Sequence, residues 1–347
     1  MLSRTEILTG CLWGCAVGDA IGLPYGGLSA RRARRFARLP LKHRFVFGRG
    51  MVSDDTDHTV FVAQALLRTE RDPARFRTAL AWRLRLWLLC LPAGIGLATL
   101  KSILRLWLGL RPSGVFSAGN GPAMRSAIIG AYFAADSSDR RAHVEASTRL
   151  THTDPLALSG ALAVAEIAAC VASGQWTMRP SSTDLIALLT GISSQAEWLQ
   201  AVQSIQECCE TSAPLSLAAE RFGSRKGVSG YVLHSVPFAI VAWHHHYGDY
   251  RATIEAITQA GGDVDTIAAI AGALAGMSAG PASIPQDWRE NIVDWPHSLG
   301  YLRQLAAALA NPTVTVDTAF SPWLFVRGIL FTVLVLAHGF RRLLPPY

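Results

Sequence analysis

Apolar residues recur every three or four positions along most of this chain, the spacing that gathers them on one face of an α-helix. The pattern is clear over residues 7–15 and 60–67, and again over 75–90, 123–135, 140–150, 156–172, 182–192, 231–246, 250–260, 266–279 and 298–310. The alternation of polar and apolar residues that is typical of strands is nearly absent, and glycine and proline punctuate the joins. The pattern predicts one compact all-α bundle over residues 1–312.

Residues 321–347 form a tail of different character. The stretch from Trp323 to Phe340 is strongly apolar, with Arg327 inside it and Arg341 following it. The apolar stretch between the two arginines is shorter than the roughly twenty residues of a comfortable bilayer span, and a charge inside a span is costly. Three interpretations stay open: a helix packed on the body or on a second subunit, a helix at a membrane surface, and a true span.

Half of the 347 residues are hydrophobic and ten are Trp, which is enough for a large core and excludes a disordered chain. Only 16% are charged, and the formal net charge of +7 arises largely from a run of arginines in residues 31–38. Such a run is either a solvated helix face or a basic surface that attracts phosphates or acidic partners. No nucleic-acid-binding motif accompanies it, so sequence-specific nucleic acid binding is not predicted.

The six cysteines lie mostly in apolar helical patterns and form no paired CxxC zinc signature. This usage predicts reduced thiols in the core of a cytoplasmic protein. The first residues also lack the basic and apolar pattern and the cleavage site of an export signal. We therefore expect a cytoplasmic location, with membrane association through the tail as the open alternative.

Two short acidic clusters stand in opposite halves of the chain, each where an apolar helix begins. The first is Ser53-Asp54-Asp55-Thr56, and the second is Gly261-Gly262-Asp263-Val264-Asp265-Thr266. One interpretation is helix capping, because carboxylates satisfy free N–H groups and the helix dipole. The other is metal binding, because adjacent carboxylates repel unless a cation compensates them, and hard divalent cations accept carboxylate and hydroxyl oxygens. If the fold joins the clusters, they form a site for one or two Mg²⁺ or Mn²⁺ ions.

Two further segments are candidates for ligand contact. The first is the glycine-rich turn Gly119-Asn120-Gly121-Pro122-Ala123-Met124-Arg125, which leads into a helix. Its free N–H groups could hold a phosphate with help from the arginine, although an ordinary loop has the same composition. The second is His152, which stands between two threonines at a joint between helices and fits either a structural or a ligand-contacting role.

Taken in order, these segments resemble the ADP-ribosylglycohydrolase family, which includes the dinitrogenase-reductase-activating glycohydrolase and the ADP-ribosylarginine and ADP-ribosylserine hydrolases. The resemblance covers roughly residues 5–310. Each motif is weak alone, but five occur in the family's order. The matching elements are Gly14-Cys15-Ala16-Val17-Gly18-Asp19-Ala20-Ile21-Gly22, Ser53-Asp54-Asp55-Thr56, the 119–125 turn, Thr151-His152, and Gly261-Gly262-Asp263-Val264-Asp265-Thr266 before an Ala/Gly-rich helix.

The resemblance implies an all-α bundle around an ADP-ribose cleft with two divalent cations, Mg²⁺ or Mn²⁺, at its base. Implied metal ligands are Ser53, Asp54 and Asp55 from one side and Asp263, Asp265 and Thr266 from the other. The substrate-binding residues implied are Gly119, Asn120, Gly121, Met124, Arg125 and His152. The catalytic residues implied are Asp54, Asp55 and Asp265, and Asp19 is expected to shape the site.

One departure from the family bears on activity. Many members carry a glutamate over the metals in the loop that follows the first motif, and Gly26 stands at that position here. The resemblance implies a metal-dependent hydrolase that removes ADP-ribose from a protein side chain or related acceptor, by cleaving the glycosidic bond at the anomeric carbon. The alternative is a catalytically impaired protein that binds ADP-ribose or a nucleotide. A third possibility is a structural or membrane-associated protein that retains the fold.

Overall fold

The computed structural model describes residues 2–211 and 214–343, which form eighteen α-helices and no β-strand. The helices are α1 Arg4–Gly22, α2 Ala30–Phe36, α3 Asp54–Thr69, α4 Pro73–Leu89, α5 Leu97–Trp107, α6 Gly121–Met124, α7 Ala127–Tyr132, α8 Ser137–Thr151, α9 Pro155–Ala172, α10 Ser182–Thr190, α11 Ala196–Glu210, α12 Leu215–Arg221, α13 Val232–His245, α14 Tyr250–Ala260, α15 Val264–Ala279, α16 Gln286–Glu290, α17 Leu299–Ala310 and α18 Trp323–Arg341. The predicted all-α class is confirmed.

Glycine spacing explains how the two halves of the chain meet. Helices α1 and α15 cross with their backbones in contact, and side chains at the crossing would overlap the facing carbonyl groups. The facing pairs are Gly10 with Gly276, Gly14 with Gly272, and Gly18 with Ala268. Positions four residues apart share one helix face, so the row of glycines forms a continuous seam. The seam places the start of α15 against the end of α1.

Polar side chains fix where many of these helices begin. Nine N-caps accept hydrogen bonds from backbone N–H groups of the first helical turn, which satisfies donors that have no partner within the helix. These caps are Ser3, Ser29, Ser53, Asp72, Asp136, Asp154, Ser181, Asp249 and Ser298. The capping interpretation is therefore correct for Ser53.

Three helices are long and apolar enough to cross a membrane by length and composition. In Arg4–Tyr25 and Pro155–Ala172 most residues are buried in the bundle, 83% and 78% of the apolar window respectively. In Trp323–Arg341 only 22% of the window is buried. This helix, α18, nevertheless lies against the body, because Arg327, Leu324 and Phe331 on its inner side are buried. Residues 344–347 of the predicted tail lie outside the described residues.

Two details of the helical pattern differ from the expectation. The stretch 123–135 is two short helices, α6 and α7, because the helical hydrogen bonds break at Arg125 and Ser126. The helices over residues 97–107 and 196–210 were not predicted. Both carry apolar residues at helical spacing that the sequence analysis overlooked: Ile103 and Leu106 are buried in the first, and Trp198, Val202 and Ile205 in the second.

Candidate active site

The first acidic cluster forms the first turn of α3 and is held by α1. Asp19 Oδ2 accepts hydrogen bonds from the Ser53 backbone N–H at 2.8 Å and from the Thr56 hydroxyl at 2.6 Å. The Ser53 hydroxyl donates to Asp55 Oδ2 at 3.1 Å. Asp19 thus shapes the cluster, as expected, by anchoring the backbone on both sides of Asp54 and Asp55.

The second cluster reaches the same place through two glycines. Gly261 and Gly262 have φ angles of 68° and 90°, a region that favours glycine, and they pass between the backbones of Leu28 and Val228. The chain then enters α15, where the Thr266 hydroxyl donates to Asp55 Oδ2 at 3.3 Å. The fold therefore joins the two clusters, as the sequence analysis required for a shared site.

A cavity of about 370 Å³ opens above the joined clusters. Predicted site residues that line it are Asp54, Gly119, Asn120, Gly121, Met124, His152, Asp263, Asp265 and Thr266. Asn120 donates to Asp263 Oδ2 at 2.7 Å, so the glycine-rich turn is tied directly to the second cluster. The cavity gathers residues from both halves of the chain.

Three predicted site residues lie behind the cavity wall instead. Ser53 and Asp55 are 3% and 1% exposed, beneath Asp54. Arg125 is fully buried, and its guanidinium donates to the Ser147 carbonyl at 3.0 Å and the Thr151 hydroxyl at 2.9 Å. The structure therefore does not bring Arg125 to the cavity. The Arg125 side chain instead supports α8, the helix that precedes His152.

The His152 ring lies beneath the glycine-rich turn, close to Gly119 and Gly121. A Cβ at Gly119 would be 3.0 Å from its Nε2 atom, so glycine allows this approach. Burial, reinforced by the charge of Arg125, lowers the pKa of His152 to about 3. The ring is therefore neutral at physiological pH and acts as a hydrogen-bonding group rather than a cation.

The carboxylates around the cavity lack compensating charge. Burial, reinforced by the charges of Asp19 and Asp263, raises the pKa of Asp54 to about 7. Burial and the charge of Asp54 raise the pKa of Asp55 well above its usual value. Burial and the charge of Asp263 likewise raise the pKa of Asp265 well above its usual value. Burial also raises the pKa of Asp19 to about 6, against the hydrogen bonds from Thr56 and Ser53.

This donor set fits a hard divalent cation in its chemistry. Oδ1 of Asp55 and Oδ1 of Asp19 are buried and accept no hydrogen bond from the described residues. Asp263, the N-cap of α15, makes no side-chain capping hydrogen bond, so capping does not explain it. Hydroxyl and carboxylate oxygens of this kind are what Mg²⁺ and Mn²⁺ accept. Over residues 2–211 and 214–343, no three His, Cys, Asp or Glu side chains are already drawn around one point. The metal ligands remain a prediction.

Gly26 faces the second cluster. A Cβ at this position would be 3.1 and 3.2 Å from the two carboxylate oxygens of Asp265. Its φ and ψ of −50° and 132° are open to any residue, so the backbone does not require glycine here. A longer acidic side chain at this position would reach the space beside Asp265.

A second buried ionic group lies directly behind the first cluster and was not predicted. Asp57 Oδ1 contacts His297 Nδ1 at 2.7 Å, and Asp57 Oδ2 lies 3.5 Å from the guanidinium of Arg327. The same guanidinium donates to Asp294 Oδ2 at 2.9 Å and to the Val52 carbonyl. We call Asp57, Asp294, His297 and Arg327 the paired cluster. It holds the backbone just before Ser53, and three of its four residues lie beyond residue 290.

Several cavity residues also escaped the sequence analysis: Gly94, Gly96, Leu97, Ala98, Thr99 and Ser117. The only available signal was the repeated glycine in residues 94–96, which is typical of turns in general.

Known proteins match the chain over most of its length. The sequence pattern of the ADP-ribosylglycohydrolase family matches residues 2–318. An Archaeoglobus fulgidus protein named only "Uncharacterized protein" is 30% identical over 317 residues, which is 88% of this chain and 96% of the relative. The Gallus gallus ADP-ribosylhydrolase ARH3 is 28% identical over 203 residues, 52% of this chain and 54% of that protein. A solved structure titled "ADP-ribosylglycohydrolase-related protein complex" has the same fold, with a TM-score of 0.65 and 24% identity over 89% of this chain and 99% of that one.

Proposed function

We propose, since the chain belongs to the ADP-ribosylglycohydrolase family, that it is a hydrolase that releases ADP-ribose from an ADP-ribosylated acceptor. The acceptor would be a protein side chain or an ADP-ribose-containing small molecule, and two divalent cations, Mg²⁺ or Mn²⁺, would take part. The observation that carries this proposal is the joining of Asp54 and Asp265 in one cavity with Asp55 directly behind its wall, where no cation of the described residues forms an ion pair with them.

Divalent cations held by these carboxylates and by Ser53 and Thr266 would orient the sugar hydroxyls and polarise the reacting centre. The chain's own residues supply the remaining functions. The turn at Gly119-Asn120-Gly121 would contact the ADP-ribose, and Met124 would give it an apolar contact, since all four residues line the cavity. Neutral His152 can donate or accept a hydrogen bond without adding charge.

Hydrolysis exchanges one bond for another at the anomeric carbon. The bond between this carbon and the acceptor nitrogen or oxygen breaks, and water oxygen forms the new bond. Asp54 would accept the proton that water loses and return it to the departing acceptor. The negative charges of Asp55 and Asp265 would stabilise the positive charge that develops on the sugar ring in the transition state.

The experiment is a release assay on arginine-linked, serine-linked and small-molecule ADP-ribosyl substrates, with and without Mg²⁺ and Mn²⁺. Asp54→Ala and Asp265→Ala are each expected to abolish cation-dependent release. Glu210→Ala, an exposed acid on α11, is the matched control and is expected to retain it. Unchanged release by both cavity variants would overturn the proposed mechanism.

Gly26 supports a second candidate, an ADP-ribose or nucleotide reader that has lost turnover. Calorimetry that shows ADP-ribose binding by a protein with no release activity on any of these substrates would favour the reader. Gly26→Glu separates the two further, because the new carboxylate would reach the space beside Asp265. A large gain in turnover indicates an impaired hydrolase, whereas an unchanged rate indicates that this chain does not need the glutamate.

A further inference from the structure

The outer side of α18 is the largest run of exposed apolar residues on one described helix. Its exposed residues follow helical spacing and are Trp323, Phe325, Val326, Ile329, Leu330, Val333, Leu336 and Phe340. Contiguous apolar surface of this kind marks an interaction site on a soluble protein. The family match ends at residue 318, so this surface is an addition to the family's common fold.

A second segment extends the same surface. Residues 46–49 form a tight turn closed by Val46 and Arg49, which exchange backbone hydrogen bonds of 2.9 and 2.8 Å. Phe47 at its tip is completely exposed, with φ of 47°. The turn lies beside α18, because the Phe45 ring is 5.6 Å from the Phe331 ring on the inner side of that helix. A projecting aromatic tip next to an apolar helix resembles an insertion loop beside an interfacial helix.

A third segment, residues 89–91, also contacts α18. The Thr332 hydroxyl donates to the Leu91 carbonyl at 2.9 Å, and Gly328 lies against the Cys90 carbonyl. Leu89 and Leu91 are 54% and 57% exposed there. We call the outer side of α18, Phe47, Leu89 and Leu91 the apolar face.

Basic residues flank this face at the end of α18 and in the Phe47 turn, and acidic residues are absent from the segments that build it. No Asp or Glu occurs in residues 20–53, 73–135 or 318–347. Residues 31–49 alone carry eight cations: Arg31, Arg32, Arg34, Arg35, Arg38, Lys42, Arg44 and Arg49. Helix α2 is linked to the end of α18, since the Arg32 guanidinium donates to the Arg342 carbonyl at 3.2 Å. An apolar surface with a cationic border complements an anionic phospholipid membrane.

We propose that the apolar face docks the protein on an anionic phospholipid surface, with α18 lying in the plane of the membrane. The paired cluster explains why α18 lies on the membrane instead of crossing it. Leaving the body would separate Arg327 from Asp57 and Asp294 and strand buried charges. A second copy of the chain fits less well, because a symmetric contact would bring the cationic borders together and would have to accommodate the projecting Phe47.

Vesicle co-sedimentation of the full chain tests this proposal. The protein is expected to bind vesicles of mixed phosphatidylglycerol and phosphatidylcholine at least about tenfold more tightly than pure phosphatidylcholine, and less tightly as salt rises. Val333→Glu and Phe47→Ser should each weaken that binding by about tenfold, since apolar insertion supplies part of the affinity. Met178→Glu changes an equally exposed apolar residue in the loop after α9 and is expected to bind like wild type.

A second pair of variants tests the contribution of the border cations to vesicle binding. Arg35→Ser with Arg49→Ser removes two exposed cations at the border and should weaken binding to the mixed vesicles several-fold. Arg141→Ser with Arg179→Ser removes two exposed cations elsewhere and should not. Failure of the wild type to bind the mixed vesicles would overturn the proposal, as would equal binding by all variants. Light scattering that shows a dimer dispersed by Val333→Glu, without vesicle binding, would assign the face to self-association instead.

Discussion

Asp55 and Asp57 stand two residues apart in the first turns of the same helix and are both almost completely buried. Burial and Asp54 raise the pKa of Asp55 well above its usual value. Burial would also raise the pKa of Asp57, but the charge of Arg327 and the contact with His297 outweigh it and lower that pKa to about 2. The difference lies in the partners: Asp57 contacts Arg327 and His297, whereas Asp55, directly behind the cavity wall, contacts only the hydroxyl groups of Ser53 and Thr266 and lies near other carboxylates.

The paired cluster also shows that the tail belongs to the body. Arg327 joins α18 to the backbone of Val52 and to Asp57 and Asp294, so residues outside the family match support the turn that presents Ser53, Asp54 and Asp55. Burial raises the pKa of Asp294 in spite of Arg327, so Asp57 is the carboxylate that this arrangement keeps ionised. Helix α18 therefore packs on the body, as the first of the three interpretations of the tail held, and the division of the chain at residue 312 stays a prediction.

The largest difference in activity and stability is expected when the first acidic cluster and the paired cluster each lose one charge. Asp55→Asn removes a carboxylate that has no cationic partner, so the cation-free protein should keep or gain thermal stability. Release of ADP-ribose should fall by about a thousandfold, the scale on which the loss of an electrostatic stabiliser lowers kcat. Thermal unfolding in chelator and the release assay measure the two effects. A variant that loses stability and keeps activity would show that Asp55 serves the fold.

Arg327→Met should have the opposite signature. It leaves Asp57 and Asp294 buried without their cation, so the free energy of unfolding should fall by about 3–5 kcal/mol. Arg303→Met, which removes an exposed arginine of α17, is the control and should change stability little. Chemical denaturation measures both variants. If Arg327→Met lost less than about 1 kcal/mol, the range of an exposed ion pair, the paired cluster would not hold the tail to the body.

The sequence predicted the two acidic clusters but missed the paired cluster, for a physical reason. Adjacent aspartates with flanking hydroxyls and glycines are visible as local patterns, and the family order of motifs relates the two halves. The paired cluster is assembled from Asp57, Asp294, His297 and Arg327, each of which has an ordinary local setting. In the sequence, Arg327 looked like a charge that would be costly to bury in a membrane span. Its acidic partners lie 33 and 270 residues away, so no neighbouring residue indicates them.

Arg125 and the helix at residues 97–107 illustrate the same limit. An arginine at the end of a glycine-rich turn fits phosphate binding, and only the packed position of Ser147 and Thr151 reveals that its guanidinium points into the body. The apolar residues of α5 follow helical spacing, so the sequence could have predicted this helix, but it could not predict that Leu97, Leu104 and Trp107 on its apolar face would remain exposed. Burial decides both cases, and burial depends on the complete fold.

The smallest expected effect, a pH dependence, distinguishes the clusters without mutation. In the folded protein the pKa values of Asp54 and Asp19 are raised to about 7 and about 6, so the folded chain holds protons that the unfolded chain has released. Their contribution to stability is complete below pH 3.8 and is lost as pH rises through 6 and 7. Asp57 has the reverse sign, because its pKa of about 2 gives stability that is lost only in acid.

We therefore expect the Tm of chelator-treated protein to fall by about 3 °C or more between pH 5 and pH 8, which corresponds to roughly 1 kcal/mol. Saturating Mg²⁺ or Mn²⁺ should raise the Tm at pH 8 more than at pH 5, since a cation that binds only the folded protein stabilises it most where the carboxylates are ionised. Scanning calorimetry at both pH values, with and without cation, measures this. A cation effect that is equal at the two pH values, or absent, would mean that the carboxylates of the cavity do not bind the cation.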